Sequence, residues 1–169
     1  MPADLSKLSF LVVDDNVHML KIVRTILSGF GVEKVFDALN GQDALEILRH
    51  ESIDIAILDY HMEGMNGLDL IKYMRDEQRM DNPYIPIIML SAYSERSRVL
   101  EARDHGATEF CAKPITAADL FRKIGAVIDR ARPFVRTSVF FGPDRRRHDP
   151  DKYKGPERRS DDQAQPNVA

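Results

Sequence analysis

Five short apolar runs recur along the chain, at residues 8–13, 32–36, 53–58, 85–90 and within 106–114, and polar or turn residues close each one. Runs of this length, rich in Val and Ile, predict strands buried on both faces. Between them the apolar positions change to helical spacing. Met19, Leu20, Val23, Ile26 and Leu27 stripe a first helix, with Asn16 as its N-cap and Gly29 and Gly31 at its end. Ala44, Leu45 and Leu48 mark a second helix opened by Asn40-Gly41, and Leu68, Ile71 and Met74 a third that stops before Asn82-Pro83. A more polar helix is predicted over 95–104, and Leu120, Phe121, Ile124, Val127 and Ile128 stripe the last. Strands alternating with helices imply an α/β fold. The arrangement is a doubly wound, five-stranded parallel sheet covered on both faces, with right-handed crossovers.

That topology gives five polar residues a common address. Asp14-Asp15, Asp59, Ser91 and Lys113 each follow a predicted strand, so all lie at one edge of the sheet. In open α/β sheets, ligands bind just beyond the carboxyl ends of the strands. An aspartate after a strand is ordinarily a turn former or helix cap, and Asp14-Asp15 alone carries no more than that. Convergence of all five carries the chemistry. Three neighbouring carboxylates cannot all stay ionised without a cation. Hard oxygen donors with room for water and phosphate suit Mg2+. Asp59 is then a nucleophile able to form an aspartyl-phosphate. Lys113 supplies a point charge for one phosphate oxygen, and the Ser91 hydroxyl donates to another.

Composition narrows the setting. A single cysteine, Cys111, excludes an internal disulfide and points to a reducing compartment. The N-terminus lacks a basic segment followed by an apolar core, and no apolar stretch nears the roughly 20 residues that cross a bilayer, so a soluble cytoplasmic protein without a membrane span is expected. The net charge of −3 conceals an asymmetry: from Arg132 onward there are nine Lys/Arg and six Asp/Glu, while the first 131 residues hold 15 and 21. An acidic body carries a basic tail.

The motifs Val-Val-Asp14-Asp15, Leu-Asp59-Tyr-His-Met62, Gly67, Ser91-Ala92 and Gly106-Ala107 through Lys113-Pro114 together resemble those of the response-regulator receiver domain, the CheY-like family, over about residues 5–131. The resemblance implies a flavodoxin-like, CheY-like fold in which Asp59 accepts phosphate from a histidine kinase. It implies Asp14, Asp15 and Asp59 on Mg2+, with a backbone carbonyl from His61, and Ser91 and Lys113 reading the phosphate. It also implies Phe110 as the switch aromatic and a cis Lys113-Pro114 bond. Glu63 stands where the family commonly has proline, and Phe110 lacks the hydroxyl of the common tyrosine. Such a protein is a phospho-acceptor rather than an enzyme, at most catalysing its own phosphorylation and dephosphorylation. A haloacid-dehalogenase phosphatase would need a second aspartate two residues after its nucleophile, where this chain has His61.

Beyond the receiver (1–131), an arginine-rich tail is expected at 132–160 and a disordered C-terminus at 161–169. The tail states one phrase twice, Gly142-Pro-Asp-Arg-Arg146 and Gly155-Pro-Glu-Arg-Arg159. Glycine and proline fix a turn, so each unit presents an acid and an arginine pair in a repeatable geometry. Arginine bonds guanine O6 and N7, stacks on purines or clamps phosphate. A carboxylate suits the N1–H and N2–H donors of guanine. Two units match two guanines and two phosphates, the content of cyclic di-GMP, whereas the interspersed acids count against long nucleic acid. The tail has too little apolar surface to fold alone, although Val139, Phe140 and Phe141 could dock on the body; a mobile tail that ligand orders is expected.

Receiver plus arginine-rich tail resembles the Cle group of CheY-like cyclic di-GMP effectors. That resemblance implies Arg136, Arg145, Arg146, Arg147, Arg158 and Arg159 as ligand arginines, with Asp144, Glu157 and Tyr153 in support. It implies flagellar motor switch proteins as partners, recruitment to the flagellated pole, and control of motility and surface attachment. Two alternatives stay open: a phosphorylation-driven single-domain receiver or adaptor in a two-component phosphorelay, whose tail only adds charge or makes protein or nucleic-acid contacts, and a nucleic-acid binder with a steep salt dependence.

Overall fold

The computed structural model describes residues 4–92, 96–145 and 163–165. Five parallel strands, β1 (Ser9–Val13), β2 (Lys34–Ala38), β3 (Ile55–Asp59), β4 (Ile87–Ser91) and β5 (Glu109–Ala112), form a sheet in the order β2-β1-β3-β4-β5. The helices α1 (Val17–Gly29), α2 (Gly41–His50), α3 (Gly67–Met74), α4 (Arg96–Asp104) and α5 (Ala117–Asp129) alternate with them, and a short 3-10 turn, Leu5–Lys7, precedes β1. The doubly wound sheet expected from the sequence is thus present.

The central strands β1, β3 and β4 are buried along their whole length because each side of the sheet has its own core. Leu11, Val13, Ala56 and Leu58 face a cluster completed by Leu45, Leu70, Ile71 and Met74. Their neighbours Phe10, Val12, Ile57, Ile88 and Leu90 face the other, with Leu20, Val23, Leu27, Leu120 and Ile124. Successive side chains point to opposite faces, so a strand covered by helices on both has no solvent side to mark with polar residues. Burying each such side chain contributes about 1.5–3 kcal/mol.

Three strands start later than the apolar runs suggest. Val32, Ile53 and Ile85 are buried but precede β2, β3 and β4. They fill the core before the ladder begins, so apolarity there reports burial and not pairing. Asn16, Asn40, Asn66 and Thr116 cap α1, α2, α3 and α5 with side-chain oxygens accepting from backbone N–H groups.

The expectation of a mobile tail is corrected for its first part. β6 (Phe134–Arg136) and β7 (Phe141–Pro143) form an antiparallel hairpin, and β8 (Gln163–Gln165) pairs with the other edge of β6. Of the C-terminal segment expected to be disordered, 161–169, only 163–165 lie among the described residues. The hairpin docks through aromatic rings: Phe134 meets Tyr84 at 5.0 Å and Phe141 meets Tyr84 at 5.4 Å between centroids. Phe134 and Val135 are buried, whereas Val139, expected to dock, is 92% exposed at the turn. Gly142 is not a turn residue either: it lies in β7, where a Cβ would stand 3.1 Å from the Gly106 Cα. A side chain there would crowd that backbone approach, and Gly106 itself has φ +106°, a conformation that favours glycine.

Beneath Phe134 lies Arg75, buried at the end of α3. Its guanidinium donates to the carbonyls of Gly106 (3.0 and 2.9 Å), Pro83 (2.6 Å) and Ile85 (2.8 Å), and the Phe134 ring covers it at 5.0 Å. One side chain therefore ties the turns entering β4 and β5 to the hairpin. These turns lie at the amino ends of the strands, the opposite edge from Asp59.

Candidate functional site

β1 connects onward to β2 on one side, and β3 to β4 on the other, so a crevice opens between the carboxyl ends of β1 and β3. Asp14 follows β1 and Asp59 ends β3. Both are buried, at 1% and 5% exposure, while Asp15 reaches solvent. One carboxylate oxygen from each of the three lies within 4.8 Å of the others. Lys113 arrives one residue after β5, its N–H donating to the Ser91 carbonyl at 2.7 Å. Its Nζ stands 2.8 Å from Asp14 Oδ2 and 2.9 Å from Asp59 Oδ1. Ser91, at the end of β4, is buried at 1% exposure. The Lys113-Pro114 bond is cis, as expected. All five residues picked from the sequence thus lie at one edge of the sheet.

The electrostatics follow from crowding. Burial pushes the Asp59 carboxyl above its ordinary value of 3.8; Lys113 opposes this, and Asp14 and Asp15 add to it. Burial pulls the Lys113 ammonium down, but its hydrogen bonds to Asp14 and Asp59 outweigh that and leave it raised above 10.5. Burial thus favours the protonated carboxyl at Asp59, and the neighbouring carboxylates hold the proton on Lys113. One ammonium among three carboxylates leaves a deficit that a divalent cation would fill. The donors are all oxygen, and Asp15 is open to water, the set that Mg2+ prefers. The residues fit that ion.

Gly67, at the start of α3, is fixed by the same site. A Cβ there would fall 2.2 Å from the Asp59 carbonyl oxygen, and the Gly67 N–H donates to the Tyr60 carbonyl at 3.2 Å. The helix therefore presses directly on the backbone that carries Asp59.

A second set of contacts around Asp59 was not foreseen. The Tyr60 ring is buried, and its hydroxyl donates to Glu101 of α4. Arg98, also on α4, lies over that ring at 5.3 Å and hydrogen-bonds the His61 ring nitrogen at 2.9 Å. These pairs join positions about forty residues apart, and nothing local in the sequence marks them. They explain how so polar a helix is held. The His61 side chain is thus engaged with α4.

Phe110 is half-buried on β5, packed against the core cluster on the α3 side. Of the predicted tail residues, Arg136 makes a two-pronged ion pair with Glu77, one limb at 2.5 Å. Arg145 approaches Asp104 at 3.4 Å and lies over the Phe140 ring at 4.7 Å. The Asp144 backbone N–H donates to the Pro133 carbonyl at 2.8 Å, and its own carbonyl accepts from Arg132. Arg146, Arg147, Tyr153, Glu157, Arg158 and Arg159 lie outside the described residues.

The response regulator receiver domain family matches residues 10–125 of the chain. This chain belongs to the receiver family. Receiver domains are phospho-acceptors that bind Mg2+ at an acidic pocket, which here is the cluster of Asp14, Asp15 and Asp59. The chain is 33% identical over 131 residues to chemotaxis protein CheY-3 of Vibrio cholerae, covering 77% of this chain and 99% of that protein. To chemotaxis protein CheY of Pseudomonas aeruginosa it is 31% identical over 123 residues, covering 73% and 98%. Among solved structures, Vibrio cholerae CheY4 superposes with a TM-score of 0.66 at 26% identity, covering 72% of this chain and 98% of that one. CheY in the CheX-CheY-BeF3-Mg2+ complex of Borrelia burgdorferi superposes with a TM-score of 0.64 at 25% identity, covering 71% and 88%. The family match stops short of the hairpin, so the tail is additional to the receiver. Among the described residues, no helix is long and apolar enough to cross a membrane.

Proposed function

We propose that the protein is a CheY-like response regulator that takes phosphate on Asp59 and binds cyclic di-GMP through its tail. A histidine kinase is the phosphoryl source, and an Asp59 oxygen is the nucleophile. Asp14, Asp15, Asp59 and the His61 carbonyl would hold Mg2+, which supplies charge neutralisation for the transferred group. Lys113, already between Asp14 and Asp59, moves to a phosphate oxygen as that oxygen takes the place of the carboxylate charge. The Ser91 hydroxyl donates to a second oxygen, and Phe110 reports the change toward α4 and α5.

The observation that carries cyclic di-GMP is the duplicated Gly-Pro-acid-Arg-Arg unit, placed beyond the residues the receiver family accounts for. Arg136, Arg145, Arg146, Arg147, Arg158 and Arg159 bind the ligand, with Asp144, Glu157 and Tyr153 in support. Two relatives are named chemotaxis proteins. By that analogy the output here is the flagellar motor switch, with recruitment to the flagellated pole. Titration calorimetry of cyclic di-GMP against the full chain tests this reading: micromolar or tighter binding in the wild type, lost in Arg145→Ala and Arg158→Ala, is expected. A wild type that gives no heat at micromolar ligand overturns it.

A second reading has an observation in its favour. Arg136 and Arg145 already pair with Glu77 and Asp104, as they would if the tail were only a structural strap on a phosphorylation-driven adaptor. Unchanged function after removal of residues 132–169 would select that reading.

A further inference from the structure

Between the docked hairpin and the face made by α4, β5 and α5 lies a cavity of about 340 Å3. Its wall is apolar where Val99, Leu100 and Phe110 line it, and cationic where Arg103, Lys123, Arg132 and Arg145 do. Glu109 is the single acid among the lining residues, and it pairs with Lys123 at 2.8 Å. Four cations against one lining carboxylate, with Asp104 beside two of them, leave the apolar hollow with a positive rim. Two of the four, Arg132 and Arg145, belong to the tail, so the hollow is complete only with the hairpin in place. Arg132 donates to the Asp144 carbonyl, which holds the two ends of the hairpin together at the cavity mouth.

We propose that this cavity takes one guanine-phosphate half of cyclic di-GMP. The inference rests on the reading above that the tail binds that dinucleotide, and it adds a place on the body for the ligand. Size and chemistry both support it. Small-molecule sites span roughly 300–1,000 Å3, and this one lies at the small end of that range, a size suited to one nucleotide half. A planar purine covers the Phe110 and Leu100 side, and a phosphodiester meets Arg103, Arg132 and Arg145 at the rim. Arg145 already lies over an aromatic ring, Phe140, in the geometry that an arginine uses on a purine face. Asp104, 3.4 Å from Arg145 and 3.1 Å from Arg103, holds the place of the anion until it arrives. The dinucleotide thereby bridges body and tail instead of being held by the tail alone.

Calorimetry on the full chain decides this with variants outside the tail. Arg103→Glu reverses a charge at the rim on a half-exposed side chain. Val99→Trp fills the hollow. Arg24→Glu, on the far side of the domain, is the control. Circular dichroism checks that each is folded. Weakening of cyclic di-GMP binding by about tenfold or more in both pocket variants, with the control unchanged, is the expected result. Should Val99→Trp fail to fold, Arg103→Glu alone decides. Affinity within about twofold of wild type in Arg103→Glu, together with loss of binding in Arg145→Ala, would overturn the pocket while leaving tail binding intact. No binding by the wild type would overturn the underlying reading as well.

Discussion

Arg75 is the residue whose loss the fold should feel most sharply. Arg75→Met keeps the length and apolar stem of the side chain and removes the guanidinium. Three carbonyls, of Gly106, Pro83 and Ile85, then lose their donor in a buried setting. Leaving a buried polar group unsatisfied costs about 1–3 kcal/mol, so three give roughly 3–9 kcal/mol before relaxation. An opposing effect exists: burial disfavours the cation and pushes its pKa down to about 9, and a neutral side chain escapes that penalty. Apolar replacement of a buried charge gains only when its partners are replaced too. Backbone carbonyls cannot be replaced, so the loss wins, at about 3–5 kcal/mol, the range for breaking buried charged networks. For a chain of this size that lowers Tm by roughly 6–20 °C. Phe134→Ala is the companion variant. Its cost is capped by the docking energy of the hairpin, because the hairpin can leave while the receiver stays folded. Thermal unfolding by circular dichroism should rank Arg75→Met well below Phe134→Ala. An Arg75→Met protein melting within about 1 °C of wild type would refute the reasoning.

The raised carboxyl of Asp59 makes its ionisation oppose folding. Its full contribution is present below pH 3.8 and is lost as pH rises through the folded value, so at pH 7 without Mg2+ the Asp59→Asn variant should melt above wild type; a lower Tm would count against this. Protons and Mg2+ compete for that carboxylate, and Mg2+ affinity followed by calorimetry should fall as pH drops through the raised value, whereas a flat profile between pH 7 and pH 4 would exclude Asp59 as a ligand. The Glu77 carboxylate holds Arg136 and is itself held below its ordinary range by that hydrogen bond. Glu77→Gln should free Arg136 and tighten cyclic di-GMP binding by about twofold to fivefold, as suits one exposed pair; weaker binding would mean that the clamp orders the tail for its ligand.

The acid site was legible because its residues stand at the carboxyl ends of short, largely apolar runs, and a parallel sheet brings all such positions to one edge. The two-sided core was legible for the same reason: the central strands β1, β3 and β4 are buried along their whole length, and only the edge strands β2 and β5 carry exposed or polar positions. Arg75 was not, since a lone arginine closing an amphipathic helix looks like an ordinary charge near the helix C-terminus. Its burial depends on carbonyls up to 31 residues away. The hairpin was misjudged through Phe134: it follows Arg132-Pro133, in a stretch whose composition looks like linker, yet it buries against Tyr84 and Arg75. Tyr60 and Glu101, like Arg136 and Glu77, are pairs of common surface types that become partners only once the fold sets their distance.

The two edges of the sheet are linked by short connections. β5 is four residues long, roughly 13 Å at about 3.3 Å per residue. Its amino end follows Gly106, whose carbonyl Arg75 holds under the hairpin; its carboxyl end leads into Lys113, and Phe110 between them lines the tail-side cavity. A parallel route runs through α4, where Asp104 meets Arg145 at one end and Glu101 meets Tyr60, next to Asp59, three residues earlier. A ligand that drew Arg145 away from Asp104 and pressed on Phe110, as proposed above, would act on both elements that lead to the acidic cluster. Linkage then fixes the form of any coupling. Whatever factor Mg2+ or phosphate at Asp59 applies to the affinity of the tail for its ligand, the ligand must apply to occupancy at Asp59 in return.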